Sequence, residues 1–379
     1  MKRKFELGIK AGIAFPLLTT LVIGMAILGV YNYMSQVALL DDEARANMET
    51  SVNVIHTTLD GHLKLYHEMA TLVANIPTVQ EVFAKRDRNR LINEFLPAYN
   101  LLKERFKLAQ FHFHTPPAVS FLRMHTLDRW GDDISSHRIT VVAVNDKKSG
   151  VIGLEAGVGG LGLRGVEPIS FKGQHVGSVD FGGDLSPVLD EAKKGFNAEA
   201  GVLISKDTLK YWPGLAKLTK SVGDYVSFYS TKSELSDGLL TADLVVKAKR
   251  EGKKVYIDEA AFGGKDYYVA ISPVKDFAGK EIGYVYVIRD RTAALTKILK
   301  TLTINAAIYI LIVVFIAAAI GYGMTKNVIK PVIDLTKAAD DISMGKLSDK
   351  VEIKDAKGEL AILSKSIDRM RVSMKKLLE

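Results

Sequence analysis

Two uninterrupted apolar stretches frame the chain, residues 11–31 (AGIAFPLLTTLVIGMAILGVY) and 302–325 (LTINAAIYILIVVFIAAAIGYGMT), and neither contains a charged side chain. A helix needs about 20 such residues to cross a hydrocarbon core about 30 Å thick, where its backbone must satisfy its own hydrogen bonds. Both stretches are long enough, so each is expected to span a membrane. This divides the chain into an N-terminal segment at 1–10, a first span at 11–31, a large polar middle, a second span at 302–325 and a tail at 326–379.

Basic residues near the span ends set the expected orientation. Lys2, Arg3, Lys4 and Lys10 precede the first span, whereas only Arg45 closely follows it, which places the N-terminus in the cytoplasm. The second span is uninformative, with Arg289, Arg291, Lys297 and Lys300 ahead of it and Lys326, Lys330 and Lys337 behind. The first helix therefore decides: the middle lies outside the cytoplasmic (inner) membrane and the tail inside. The first apolar run exceeds a usual signal core and no small-x-small cleavage site follows, which suits an uncleaved anchor.

Cysteine is absent, which excludes disulfides, thiolate metal sites and cysteine nucleophiles. The net charge is +8, yet the basic residues are scattered among nearly as many acids, so nucleic-acid binding is not expected. With no nucleophile elbow, His-Glu-x-x-His helix or paired-carboxylate signature, no enzymatic activity and no cofactor is assigned.

After the first span, Met48, Val52, Ile55, Leu59, His62, Tyr66, Met69 and Val73 alternate steps of four and three. That is the seam of a long amphipathic helix over 32–75, about 65 Å in length. Asn75-Ile76-Pro77 is expected to end it, and a second helical stretch to cover roughly 78–107. From Ala109 short alternating runs read as strands and hairpins. Phe171, Gly173, Gly177 and Val179 recur as Phe277, Gly279, Gly283 and Val285 at a separation of 106 residues, in each case as strand, glycine turn, strand and then helix. The economical reading is two tandem α+β modules, 76–184 and 185–300. The glycine-rich run Gly153–Gly165 lacks the following Gly-Lys-Ser/Thr and helix of a phosphate loop, and is expected to be a hairpin.

A long stalk helix followed by two sheet modules between two spans resembles the double Cache, PAS-like sensor of bacterial and archaeal chemoreceptors and sensor histidine kinases. The resemblance covers about 32–300 and is carried by Phe111-His112-Phe113-His114-Thr115-Pro116, Phe121-Leu122-Arg123, Gly131-Asp132-Asp133 and Gly160-Leu161-Gly162-Leu163-Arg164-Gly165. It implies that the first module lies farther from the membrane and binds the ligand. The tail, 326–379, resembles a HAMP linker. Val328, Val332, Leu335, Ala339 and Ile342 form one heptad seam, and Leu360, Leu363, Ile367, Met370, Met374 and Leu377 another, with Gly345–Gly358 as connector. Pro331 and Glu359 stand where such linkers carry a proline after the membrane and a glutamate opening the second helix; Gly358 departs from the acidic residue common there. Two such seams bury little in one copy, so a parallel homodimeric four-helix bundle is expected, with Pro331, Leu335, Glu359 and Leu363 as relay positions.

Four of the eight histidines fall between 112 and 137. On a strand, His112 and His114 share a face opposite Phe111 and Phe113, and on the next strand Phe121, Arg123 and His125 are expected to share one. Paired as a hairpin, the strands would gather His112, His114, Arg123 and His125. Cationic donors on one face suit a small carboxylate, matched by an arginine fork and by partly protonated histidines. Trp130, Arg138, Glu155 and Arg164 are candidate rim or floor groups, and Asp132 or Asp133 a partner for a ligand amine. Two alternatives stay open: Arg123 pairing with Asp132 or Glu155 as internal structure, and metal chelation by His112 and His114 with His125 or an aspartate, though no metal site is assigned. Tyr267, Tyr268, Tyr284 and Tyr286 in the second module read as packing.

The reading that follows is a dimeric transmembrane receptor that senses a small, anionic extracytoplasmic ligand and relays it through HAMP. The output is expected from a separate cytoplasmic signalling protein or from a missing C-terminal output domain. Alternatives are a membrane-anchored solute- or metal-binding accessory protein, and the sensor part of a methyl-accepting chemotaxis protein or histidine kinase.

Overall fold

A 66-residue helix, α1 (Ile9–Ala74), joins the first apolar stretch to the stalk without a break. The computed structural model describes residues 9–157, 160–196, 198–211, 220–353 and 358–378; most of the N-terminal segment, the tip of the glycine hairpin (158–159) and part of the tail connector (354–357) lie outside them. The buried residues of α1 include Met48, Val52, Ile55, Leu59, Leu63, Tyr66, Ala70 and Val73. The heptad seam thus holds at both ends but is corrected in the middle, where Leu63 and Ala70 replace His62 and Met69.

The expected second helix is two helices, α2 (Pro77–Ala84) and α3 (Arg88–Phe106). Arg86 takes φ 61° and breaks the run, and the Asp87 carboxylate accepts from Arg90 N at 3.1 Å, a cap that restarts it.

Two antiparallel sheets follow. The first is built from β1 (Gln110–Thr115), β2 (Val119–Arg123), β3 (Val151–Gly157), β4 (Gly160–Phe171) and β5 (Gln174–Asp184), in the order β2-β1-β5-β4-β3. Helix α4 (Ile139–Lys147) enters between β2 and β3, and α5 (Ser186–Phe196) leaves β5. The second sheet uses β6 (Glu199–Ser205), β7 (Ser221–Val222), β8 (Tyr225–Ser230), β9 (Tyr256–Phe262), β10 (Lys265–Lys275) and β11 (Glu281–Asp290), with α6 (Ser233–Leu239) and α7 (Ala242–Glu251) between β8 and β9. Its order is β7-β8-β6-β11-β10-β9. With the two-residue edge strand β7 set aside, both sheets have the same connectivity, and the repeated glycine turns join the same pair of strands, β4–β5 and β10–β11. The glycine-rich run is the β3–β4 hairpin.

One face of the first sheet carries Phe111, Phe113, Leu122, Leu163, Val179 and Phe181, all buried in a core shared with the α1 seam. Gly165 makes this approach possible: a Cβ there would stand 2.2 Å from the His67 backbone nitrogen. The same core continues through Ala200, Val202 and Val285 of the second sheet, whose opposite face, including Tyr267, Tyr284 and Tyr286, packs against α6 and α7. Those three tyrosines are packing groups, and Tyr268 is buried as well.

Residues Leu40–Ala293 form one compact unit; Met1–Leu39 and Ala294–Glu379 form the other. In the latter, α8 (Thr292–Met324) runs into a π-helical turn at Thr325–Ile329, then α9 (Lys330–Ser343) and α10 (Glu359–Leu378). Two helices are long and apolar enough to cross a membrane, and their apolar windows are unburied. Pro331, Leu335 and Ile342 of α9 are buried. Leu363 of α10 is 46% exposed and Met370 is 47% exposed, so the second seam is open in a single chain. Asp368 and Arg371 fasten the connector to α10, accepting from Val351 N at 3.0 Å and donating to Leu347 O at 2.9 Å.

Candidate ligand site

The β1–β2 register places His112 opposite Arg123 and Phe113 opposite Leu122, then slips by one so that His114 faces Ser120. Phe121 is the extra residue of this bulge. A bulge turns its side chain out of the ordinary alternation, and Phe121 goes to the apolar side, edge-on to Phe83 at 5.2 Å. Its expected place beside Arg123 is therefore corrected.

Pairing across the sheet assembles the polar face. His112 lies opposite Asp180 of β5, Arg164 of β4 opposite Gly182, and Glu155 of β3 opposite Gly162. Gly182 and Gly162 leave the space over which Arg164 lies flat; a Cβ at 182 would sit 2.4 Å from its Nη1. Arg138, at the start of α4, is buried and donates through Nε to Glu155 Oε2 at 2.8 Å and through Nη2 to Asp180 Oδ2. Glu155 also accepts from Thr140 N at 2.6 Å, a carboxylate at a helix N-terminus where free backbone donors favour it. Gln110 Oε1 receives both Arg164 Nη1 at 2.6 Å and Arg138 Nη1 at 3.2 Å.

Above this floor is a cavity of about 340 Å³ lined by Gln110, His112, Arg123, His125, Arg129, Ile134, His137, Arg138, Gly157 and Arg164. Five residues singled out from the sequence, His112, Arg123, His125, Arg138 and Arg164, are among its walls. Others act from outside it. Asp132 accepts from both Nη atoms of Arg123, at 2.7 and 2.8 Å, which holds its carboxyl down at about 2; it locks the Arg123 fork and is not free for a ligand amine. Glu155 locks Arg138. His114 lies behind the wall, with no exposed surface. Trp130 is 59% exposed under the Arg88 guanidinium, 5.0 Å from its ring centroid, and the Asp133 carboxylate caps Ser135 N at 2.9 Å; neither lines the cavity.

Burial pushes the His112 and His114 imidazoles well below their usual range, and neighbouring cationic groups push the same way. Burial also brings His125 down to about 4. The three rings are therefore neutral at physiological pH, which corrects the expectation of partly protonated donors. The two buried arginines differ. Burial lowers Arg138, but Asp180 and Glu155 outweigh it and hold the guanidinium above its usual value. Burial lowers Arg164 too, Arg138 adds to the effect, and the same carboxylates do not restore it. Arg164 Nε and His125 Nδ1 are buried with no hydrogen-bond partner among the described residues.

A family model described as the double sensory domain of two-component sensor kinase matches residues 42–295. The chain belongs to this double Cache family. A HAMP-domain model matches residues 323–376, so this double Cache protein carries a HAMP linker after its second candidate membrane helix, as a transmembrane sensor receptor does. No protein of curated function matches it. Among solved structures, the ligand-binding domain of the Campylobacter jejuni chemoreceptor Tlp3 in complex with L-valine is 10% identical, with 69% of this chain and 96% of that one covered and a TM-score of 0.45. The V. cholerae histidine kinase DctB sensor domain is 12% identical, with 67% and 98% covered and a TM-score of 0.42. The ligand-binding domain of the Pseudomonas aeruginosa PAO1 amino acid chemoreceptor PctB in complex with L-Arg is 17% identical, with 67% and 97% covered and a TM-score of 0.38.

Sequence reasoning missed Gln110, Ser120, Arg129, His137 and Asp180 of this double Cache site. Gln110 was accessible, since it alternates with His112 and His114 on the same strand. Asp180 was not: it meets His112 only through the β1–β5 pairing, far apart in sequence.

Proposed function

We propose that this double Cache receptor senses a small extracytoplasmic carboxylate in the cavity of its first sheet and transmits occupancy through α8 and the HAMP helices of a homodimer. The observation that carries the reading is Arg164: a buried guanidinium lining the cavity, whose Nε makes no hydrogen bond among the described residues and stands 3.9 Å from Glu155 Oε2. An anion entering the cavity meets the walls to which Arg123, Arg129, Arg138 and Arg164 contribute. The site gathers four arginines, Arg123, Arg129, Arg138 and Arg164, with the carboxylates Asp132, Glu155 and Asp180 paired to them and Asp184 also acting on Arg164. Arg129, 71% exposed, offers an anion a guanidinium at the rim. Charge-assisted hydrogen bonds in a partly open cavity supply specificity.

The membrane topology in this reading has the N-terminus and HAMP in the cytoplasm and both sheets outside, and the output belongs to another cytoplasmic polypeptide or domain. A ligand shifts the receptor between states only through its differential affinity for them; the relay positions are Pro331, Leu335, Glu359 and Leu363. The test is Arg164→Lys in the full chain, reconstituted in nanodiscs. Lysine keeps the charge but loses the planar fork and Nε, so a monocarboxylate that raises the melting temperature of the wild type is expected to have little effect on the variant. An undiminished shift removes Arg164 from the site.

A further inference from the structure

His114 has no exposed surface, and neither ring nitrogen has a hydrogen-bond partner among the described residues. A neutral imidazole offers one donor and one acceptor, and burying both unpaired costs on the order of 1–3 kcal/mol for each group. The orphaned atoms are not isolated. Asp180 Oδ1, also fully buried, is unpaired while its Oδ2 binds Arg138. The His112 ring stands 3.9 Å from the His114 ring, centroid to centroid, with its Nε2 fixed 2.8 Å from Ser120 Oγ. One ligand atom from each of His112, His114 and Asp180 falls within a mutual spread of 4.8 Å.

We propose that His112, His114 and Asp180 form a binding site for a divalent d-block cation of the Zn²⁺, Ni²⁺ or Cu²⁺ class. Two imidazoles and one carboxylate are a donor set these ions accept, whereas Ca²⁺ and Mg²⁺ want oxygen ligands throughout. Two of the three ligands already have outer partners that would orient them: Arg138 holds the second oxygen of Asp180, and Ser120 binds His112 Nε2. The surrounding charge also narrows the choice. Arg138 and Arg164 stand against Glu155 and Asp180, leaving the floor without surplus negative charge to attract a hard cation, so binding has to come from nitrogen donors. The charge of a bound ion is left for an anion in the cavity to balance, and by linkage each raises the affinity of the other.

The proposal does not rest on the carboxylate reading, and the experiment separates them. Full chain, free of any affinity tag and stripped with a chelator, is titrated with Zn²⁺ in carboxylate-free buffer against a chromophoric competitor. One equivalent per chain is expected, weakened at least about tenfold in His114→Ala and unchanged in His62→Ala, which alters a histidine outside the cluster. Because His114→Ala also empties a core position, Cu²⁺ electron paramagnetic resonance on the unmutated chain gives a second readout, with nitrogen coupling from two imidazoles expected. Absence of stoichiometric binding in the wild type, or a Cu²⁺ signal without imidazole coupling, overturns the site. The chelated chain is tested with a monocarboxylate in parallel, so that reading stands or falls on its own.

Discussion

Arg291 Nη2 lies 3.5 Å from Asp41 Oδ1, an ion pair between the residue just before α8 and the stalk portion of α1. The same carboxylate accepts from the Tyr268 hydroxyl, and the Arg291 guanidinium stacks 4.6 Å from the Tyr268 ring centroid. Arg291 also binds Glu259 of β9. The exit from the second sheet is thereby tied to α1 at the point where the chain enters α8.

Asp41→Ala is expected to lower stability by about 1–2 kcal/mol, because Tyr268 and Arg291, both largely buried, lose an acceptor at once. Thermal melts of the full chain check this. Tyr268→Phe should recover most of the difference when combined with Asp41→Ala, since the orphaned hydroxyl is then gone; an additive loss would mean that the pair do not act together.

Gly182→Ala places a methyl group against Arg164. The expected cost is about 1–3 kcal/mol from overpacking, together with weaker carboxylate binding as the guanidinium lifts from the floor. Gly173→Ala, at a β4–β5 turn with open space around it but φ 78°, should cost stability through backbone strain and leave binding unchanged. Melting temperature and binding isotherms read the two effects separately.

Protonation gives a third expectation. His125 has a folded value of about 4 against 6.5 when free. Between those values the unfolded chain takes up a proton that the folded chain refuses, so stability falls as pH drops from about 6.5 to 4, and the loss is complete below that. Above 6.5 this group contributes no pH dependence. His125→Asn should therefore show a shallower decline in melting temperature across the window than the wild type, with the two slopes equal above it.

Because the chain has no cysteine, a single introduced one reports on copy-to-copy contact. Leu363→Cys, on the open seam of α10, is expected to crosslink between two chains under mild oxidation, and Lys365→Cys, on the opposite face, is not. A saturating carboxylate should change the Leu363→Cys rate; equal rates would argue for passive capture by the Leu40–Ala293 unit.

The parts of the fold legible in the sequence were those written in local periodicity: the apolar spans, the α1 seam at its ends, the repeated turn of β4–β5 and β10–β11, and the His112–His114 alternation. What stayed hidden depends on contacts distant in the chain or on single-residue irregularities. The Phe121 bulge inverts one side chain without any mark in the alternation. Asp180 joins His112 only after β5 inserts beside β1. The neutral state of the histidines follows from burial, which no spacing reveals, and the locking of Arg123 by Asp132 was one of two partners the sequence left open.

The most direct test of the central claim is calorimetric titration of the full chain in nanodiscs with small monocarboxylates and with their neutral amides at pH 7.5. The account predicts saturable binding of at least one acid, no binding of its amide, and loss of binding in Arg164→Lys. Equal binding of acid and amide, or retention in the variant, would contradict it.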